Sequence, residues 1–419
     1  MKEKNKNTFF EDYENFHPKE PLEWLYALGF LESVNGDKKW CFRETFKAIR
    51  HFGKILYSTG VIDQKEKHEY FFGRWLNYKK DNTLKNGFHI LDCDSYIYGN
   101  YPEYTIRFVD PENKIKGDLK YKANATPFWI AQDITGGWLP AGLGVFRYGF
   151  IPKNDIFGKL KIKDKKYDVR GKGYLEHVYG NLNYRKPVSR FSEFNRIISI
   201  YAKLITWWMG KQNVSFPRSI GFTTENTPLG YDWAWAIFDN EWSIFYGNLL
   251  FWMMDGPATG VLYLTKDDKT DIKFYNISYR YIQTKFVKDF DCLYPTEFEI
   301  NAKDGKKKMY LHFKMTSKPL EAHNIFRKPI YWTGFILCEA PGYVEGYYKE
   351  GDKKIKLSGI AKLEPQRQIS KFGHNSMKFN FLLPPKGVGV KFDFDFHYFK
   401  KKLSGNIQLM PRLKLKLNN

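Results

Sequence analysis

A pattern that occurs twice places the strongest constraint on what this chain can fold into. Gly158-x5-Asp-Lys-Lys-x4-Gly-x3-Leu-Glu176 recurs as Gly346-x5-Asp-Lys-Lys-x4-Gly-x3-Leu-Glu364, which matches Gly171 with Gly359 and Leu175 with Leu363. The openings correspond as well: Glu23-Trp-Leu-Tyr-Ala27 resembles Asp232-Trp-Ala-Trp-Ala236. Self-similarity on this scale reads as a tandem of two related units. We place them at 20–187 and 230–419, joined by a linker over 188–229.

The pattern inside each copy is that of strands. In Gly158–Arg170, Leu160 and Ile162 share one face, lysines occupy the other, and Asp164-Lys165 is the expected turn. In Tyr104-Thr-Ile-Arg-Phe-Val109 the apolar residues Tyr104, Ile106 and Phe108 alternate with polar ones. Further strands are expected at Phe71–Tyr78, Phe88–Ile97 and Gly117–Tyr121, and at 388–398 near the end. The 36 Phe, 29 Tyr and 12 Trp favour strands and large apolar interiors over helical bundles. The class is therefore all-β, with antiparallel sheets and one amphipathic helix between the units. That helix is read from Phe191, Phe194, Ile197, Ile198, Tyr201, Leu204, Ile205 and Trp208, spaced by threes and fours. Ser189 is its expected N-cap and Gly210 its C-cap. Residues 1–20 read as a loose polar arm. The glycine-rich stretch Thr135–Gly144 reads as a loop and lacks the Gly-Lys-Ser/Thr of a phosphate cradle.

Chemistry concentrates in Gly171-Lys-Gly-Tyr-Leu-Glu-His-Val-Tyr-Gly-Asn181. Continued alternation puts Tyr174 and Glu176 on one face and Leu175, His177 and Tyr179 on the other. An imidazole and a phenol projecting together suit proton transfer in a cavity; they equally suit a core histidine bonded to a tyrosine. The second copy has Pro365 where the first has His177, so the common fold does not need the imidazole.

Charge and cysteines exclude several classes. Lys plus Arg exceed Asp plus Glu by 67 to 46, a net +21 that attracts anionic surfaces. The basic residues are scattered, with no nucleic-acid-binding motif, so no nucleic-acid partner is expected. Cys41, Cys93, Cys292 and Cys338 lie far apart, which fits neither a disulfide framework nor a zinc site. Asp393, Asp395 and His397 share a strand face but read as solvated, so no metal and no cofactor are expected. The charged residues 1–12 lack the apolar core of a secretory signal, and no apolar run is long enough to span a bilayer. We expect a cytoplasmic chain, with the basic, tryptophan-bearing helix at 189–209 as a peripheral contact with anionic membrane.

Four landmarks in order carry a resemblance. They are Glu23-Trp-Leu-Tyr26, Val169-Arg-Gly-x-Gly-Tyr-Leu-Glu-His-Val-Tyr-Gly180, Tyr231-Asp-Trp-Ala-Trp235 and Leu357-Ser-Gly-x3-Leu-Glu364. Together they resemble the lipocalin-like family of AttH-type proteins and carotenoid 1,2-hydratases, with fungal lipocalin-like Diels–Alderases as distant members. The resemblance implies two tandem lipocalin-like β-barrels and an apolar ligand pocket. In the hydratases a D-H-N-W-G motif supplies histidine and tryptophan, and a downstream Y-x-D supplies tyrosine and aspartate. The matching residues here are Glu176-His177-Val178-Tyr179-Gly180 and Tyr246-Gly247-Asn248. An amide at 248 cannot supply the strong proton donor that alkene hydration requires; Asp232, Asp239 and Asp255 are the nearby acids.

The expected function is binding of an apolar isoprenoid or lipid-like small molecule, with acid/base chemistry of hydration, isomerisation or cyclisation type. The residues assigned to that chemistry are His177 and Glu176, with Tyr179 and Tyr246 as hydrogen-bond donors or cation stabilisers. The alternative is a non-catalytic lipid carrier or membrane-associated binding protein.

Overall fold

The computed structural model describes residues 13–409 except for 80–81, 85, 142–143, 182–190, 212–218, 224–228, 251–256, 289–291, 328–331, 372–375, 383–388 and 399–400. Contacts divide the chain into two compact units. One comprises Met1–Trp207, Ile237–Ile244 and Tyr263–Lys273; the other comprises Trp208–Ala236, Phe245–Leu262 and Phe274–Asn419.

Two curled antiparallel sheets are wound in the same order. The first contains β1 (Leu22–Ser33), β2 (Lys39–Ile49), β3 (Lys54–Asp63), β4 (His68–Asn77), β5 (Ser95–Asn100), β6 (Glu103–Asp110), β7 (Ile115–Ala123), β8 (Gly144–Ile162) and β9 (Lys165–Asn181). Its spatial order is β4-β3-β2-β1-β9-β8-β7-β6-β5. The second contains β10 (Leu229–Phe238), β11 (Ser243–Leu250), β12 (Pro257–Thr265), β13 (Thr270–Phe274), β14 (Asn276–Val287), β15 (Cys292–Asp304), β16 (Lys307–Met315), β17 (Trp332–Glu350) and β18 (Lys353–Lys371). Its order, β13-β12-β11-β10-β18-β17-β16-β15-β14, repeats the first over these nine strands; the first sheet continues beyond β5 to Gly87–Ile90 and Thr83–Leu84. A separate four-stranded sheet joins Ser219–Thr223 to Ser376–Leu382, Gly389–Tyr398 and Lys401–Leu409.

The sequence repeat is also a repeat of register. Gly158 faces Val169 and Ile162 faces Lys165 across β8 and β9, as Gly346 faces Leu357 and Glu350 faces Lys353 across β17 and β18. Both Gly158 and Gly346 lie against a neighbouring backbone. An added Cβ would come within 2.1 Å of the Asp118 carbonyl oxygen in one copy and 1.9 Å of Tyr310's in the other. One feature breaks the equivalence. β8 bulges between Ile151 and Asn154, where β17 pairs without a shift. Bulges re-aim side chains and gather near functional sites, and this one lies beside Gly149, the partner of His177.

Several local expectations change. The β8–β9 turn is Lys163-Asp164, one residue earlier than expected, because Ile162 already pairs with Lys165. Phe88–Ile97 is two strands, Gly87–Ile90 and Ser95–Asn100, split by a 3-10 turn that Asp94 closes in the left-handed conformation. Within the glycine-rich stretch, Gly136 and Gly137 turn the chain with positive φ and Trp138–Ala141 pairs with β8. The helix spans Phe191–Lys211, so Gly210 lies inside it; Ser189 lies outside the described residues. Ile197, Ile200 and Leu204 are buried, so that helix face has a protein partner.

Residues 13–20 are not a loose arm. Tyr13 belongs to the core of the first barrel, with Phe46, Tyr57, Phe108, Trp129 and Tyr179 among its members. Apolar burial outweighs the polar character of that segment.

Candidate functional site

β9 alternates as its sequence requires: Leu175 and Tyr179 join the barrel core, while Tyr174 and Glu176 face away. His177 projects inward between Leu25 of β1 and Gly149 of β8 and is 2% exposed. Its Nε2 lies 2.9 Å from Glu23 Oε1, and its Nδ1 contacts the Tyr13 carbonyl oxygen. A carbonyl and an ionised carboxylate only accept, so His177 satisfies both only with a hydrogen on each ring nitrogen.

Glu23, two residues from Leu25 on the same face of β1, is wholly buried. Its Oε1 also accepts the His17 backbone N–H at 2.9 Å, and its Oε2 pairs with the Arg50 guanidinium. Burial pushes the Glu23 pKa up. Hydrogen bonds from His17 and His177, with the charges of His177 and Arg50, more than offset this and hold it well below the usual carboxylate range. Arg50 donates further to the carbonyls of His17 and Glu20, both at 3.1 Å, so it also clamps the segment that leads into β1.

Tyr179 shares the face of His177, with ring centroids 6.0 Å apart, but its hydroxyl turns to Arg147 Nη1 at 3.0 Å. The His17 ring stacks on Tyr179 at 3.4 Å, and Trp129 and Trp138 meet it edge-on. Burial pushes the Tyr179 phenol up to about 12, against the pull of Arg147. A cavity of about 30 Å³ adjoins the imidazole, lined by Tyr13, Phe16, Leu25, Tyr104, Leu175 and His177 among others.

The other assigned residues lie elsewhere. The Glu176 carboxylate, on the opposite face of β9, accepts the Tyr148 hydroxyl at 2.6 Å; Glu23 holds the place beside His177. Tyr246 belongs to the second unit, where its hydroxyl accepts the Asn248 amide at 2.9 Å. Burial pushes its pKa well up, with Asp232 adding to the effect. Asp232 is itself committed: it pairs with Arg367 at 2.8 Å and accepts the Tyr281 hydroxyl at 2.5 Å. Asp239 lies exposed beyond β10, and Asp255 lies outside the described residues.

One metal-like grouping is present among the described residues. His17 Nδ1, Glu23 Oε1 and His177 Nε2 lie within 4.8 Å of one another, a donor set suited to zinc. Arg50 already places a cation on the same carboxylate, which disfavours a second one there.

No protein-family model and no curated protein sequence matches the chain. Solved structures do. The AttH-type protein NE1406 from Nitrosomonas europaea superposes with a TM-score of 0.55 at 14% identity, over 85% of this chain and 95% of its own. Kievitone hydratase from Nectria haematococca gives 0.52 at 9% identity, over 84% and 91%. The chain has the AttH-like tandem lipocalin fold. Beside His177, Glu23 is the candidate site residue that the sequence motifs did not single out. Its signal was in the repeat, because an acid opens both copies, as Glu23 and Asp232, and in each copy the acid meets a cation.

Proposed function

We propose that the first barrel binds an apolar small molecule of lipid or isoprenoid type against His177 and acts on it by proton transfer. The supporting observation is the position of the imidazole: it lines a cavity whose wall is mostly aromatic and aliphatic, with Glu14, Asn86 and Glu176 also on it, and it is backed by a buried carboxylate held ionised. Nδ1 is the atom assigned to the reaction, since Nε2 is engaged by the buried Glu23 carboxylate and Nδ1 only by the Tyr13 carbonyl. Glu23 fixes the ring orientation and stabilises the imidazolium, while Arg50 and His17 fix Glu23. The chemistry that this supports is general acid/base work on a bound alkene, enol or carbonyl, of hydration, isomerisation or cyclisation type.

The test is native mass spectrometry of the chain purified from its own host, to identify a co-purifying small molecule, followed by turnover with that molecule. His177→Ala should fold, retain binding and lose turnover by about 10²-fold or more. Unchanged turnover in a folded His177→Ala would eliminate the catalytic reading.

Non-catalytic lipid carriage at a membrane surface is the second reading, favoured by the net charge of +21 and by a helix on which Ile198, 49% exposed, and Lys203 both face solvent. It requires salt-sensitive binding to phosphatidylserine vesicles that Ile198→Asp abolishes.

A further inference from the structure

We propose that Tyr13–Phe16 is a displaceable strap standing in the ligand's place, and that the ligand has a planar aromatic head bearing an oxygen acceptor. The inference rests on the ligand-binding reading above and names its ligand class. About 30 Å³ beside His177 holds little more than a water or two, whereas small-molecule sites are roughly ten times larger. What fills the remaining space is the chain itself. The Tyr13 ring is buried against Trp129, centroids 5.7 Å apart, and meets His177 edge-on at 5.7 Å. Phe16 packs edge-on against Phe88 at 4.8 Å. The barrel is shaped to this occupant: a Cβ at Gly149 would come within 2.6 Å of the Tyr13 ring.

The strap's hold and its hinge are both visible. Besides the two rings, the Tyr13 carbonyl binds His177 and the Glu14 carboxylate binds the Tyr101 N–H. From His17 onward the chain is anchored, because Arg50 clamps the His17 and Glu20 carbonyls and Glu23 holds the His17 N–H. Release therefore pivots between Phe16 and His17, opening the wall while Glu23 and His177 stay in place. The vacated space specifies the replacement. The site left by Tyr13 takes a flat ring tilted against Trp129 and edge-on to His177. The site of its carbonyl takes an oxygen that accepts from His177 Nδ1. A second polar group is provided for, since the buried Tyr104 hydroxyl on the cavity wall has no hydrogen-bond partner.

The test uses the full chain and the fluorescent naphthyl ketone 6-propionyl-2-(dimethylamino)naphthalene. Tyr13→Ala/Phe16→Ala should bind it at least about tenfold tighter than the parent, because no strap need be displaced. In competition, 2-acetylnaphthalene should outcompete its carbonyl-free isostere 2-isopropenylnaphthalene by about tenfold, and adding His177→Ala should erase that preference. In the parent, saturating ketone should accelerate amide hydrogen exchange at residues 13–16, a readout independent of whether the double variant folds. Unchanged exchange at 13–16, or equal affinity in the parent and a folded variant, would refute the strap while leaving ligand binding intact. Equal competition by the two naphthalenes would refute the ligand class. Binding to neither chain would instead overturn the ligand-binding reading itself.

Discussion

Glu23 and Glu44 are both fully buried in the first barrel, yet their surroundings push them in opposite directions. Burial acts against ionised Glu23, but the hydrogen bonds of His17 and His177 and the charge of Arg50 prevail and depress its pKa. Its stabilisation is therefore present above the ordinary glutamate value, about 4.3, and is lost as pH falls toward the native-state value. Glu23→Gln should cost about 3–5 kcal/mol near neutral pH, because Arg50 and His177 lose their counter-charge. Urea melts should show that difference shrinking below about pH 4; a difference independent of pH would contradict the depressed pKa. Burial of Glu44, with Asp110 adding to it, raises that carboxyl well above the usual range. Here the native state holds a proton that the unfolded state releases. Stability is thus full below about pH 4.3 and falls by up to about 1.4 kcal/mol per pH unit until the native carboxyl ionises. Glu44→Gln should gain on the parent as pH rises above about 4.3, and parallel pH profiles would contradict the raised carboxyl. Of these residues only His177 is singled out by its own motif, through its place in β9 and its absence from the second copy, whereas the repeat marks Glu23 only as an acid that opens a strand. Glu23, Arg50 and His17 converge from separate segments, and no local pattern announces such a meeting.

Among the elements, the β8–β9 hairpin carries a residue its own repeat has improved upon. Lys163, the first turn residue, has φ +55, and its counterpart Gly351 has φ +58. A side chain pays a steric cost there that glycine does not, so Lys163→Gly should stabilise by about 0.5–1 kcal/mol, read as an increase in Tm. Helix Phe191–Lys211 yields the complementary test. Leu204 is 4% exposed and Ile198 49%. Leu204→Asp should unfold the first unit or cost about 3 kcal/mol or more, and Ile198→Asp should stay within about 0.5 kcal/mol of the parent. The helix and the long hairpin strands were readable because their periods run for many residues. Tyr13–Phe16 was not, since nothing local distinguishes two aromatics in a polar arm from two aromatics in a barrel.

For the molecule as a whole, tandem copies of one sheet hold different contents. Where the first unit sets His177 and Tyr179, the second sets Pro365 and Arg367. Arg367, 2% exposed, pairs with buried Asp232, and Tyr281 closes the group. The second unit thus neutralises its opening acid with a fixed guanidinium, and the first does so partly with a titratable ring. Arg367→Leu should cost about 3–5 kcal/mol by stranding Asp232, without changing the chemistry at His177. The repeat made this architecture legible from sequence. The division of labour was only partly so, because a buried ion pair and a proton donor both begin as an acid opening a strand. The most direct measurement is the ¹H–¹⁵N spectrum of the His177 side chain in the full chain near neutral pH. If Glu23 and the Tyr13 carbonyl hold the ring as a proton donor, both nitrogens carry slowly exchanging hydrogens, and Glu23→Gln removes the one on Nε2. A His177 ring with a bare nitrogen in the parent chain would contradict the site on which the proposed function rests.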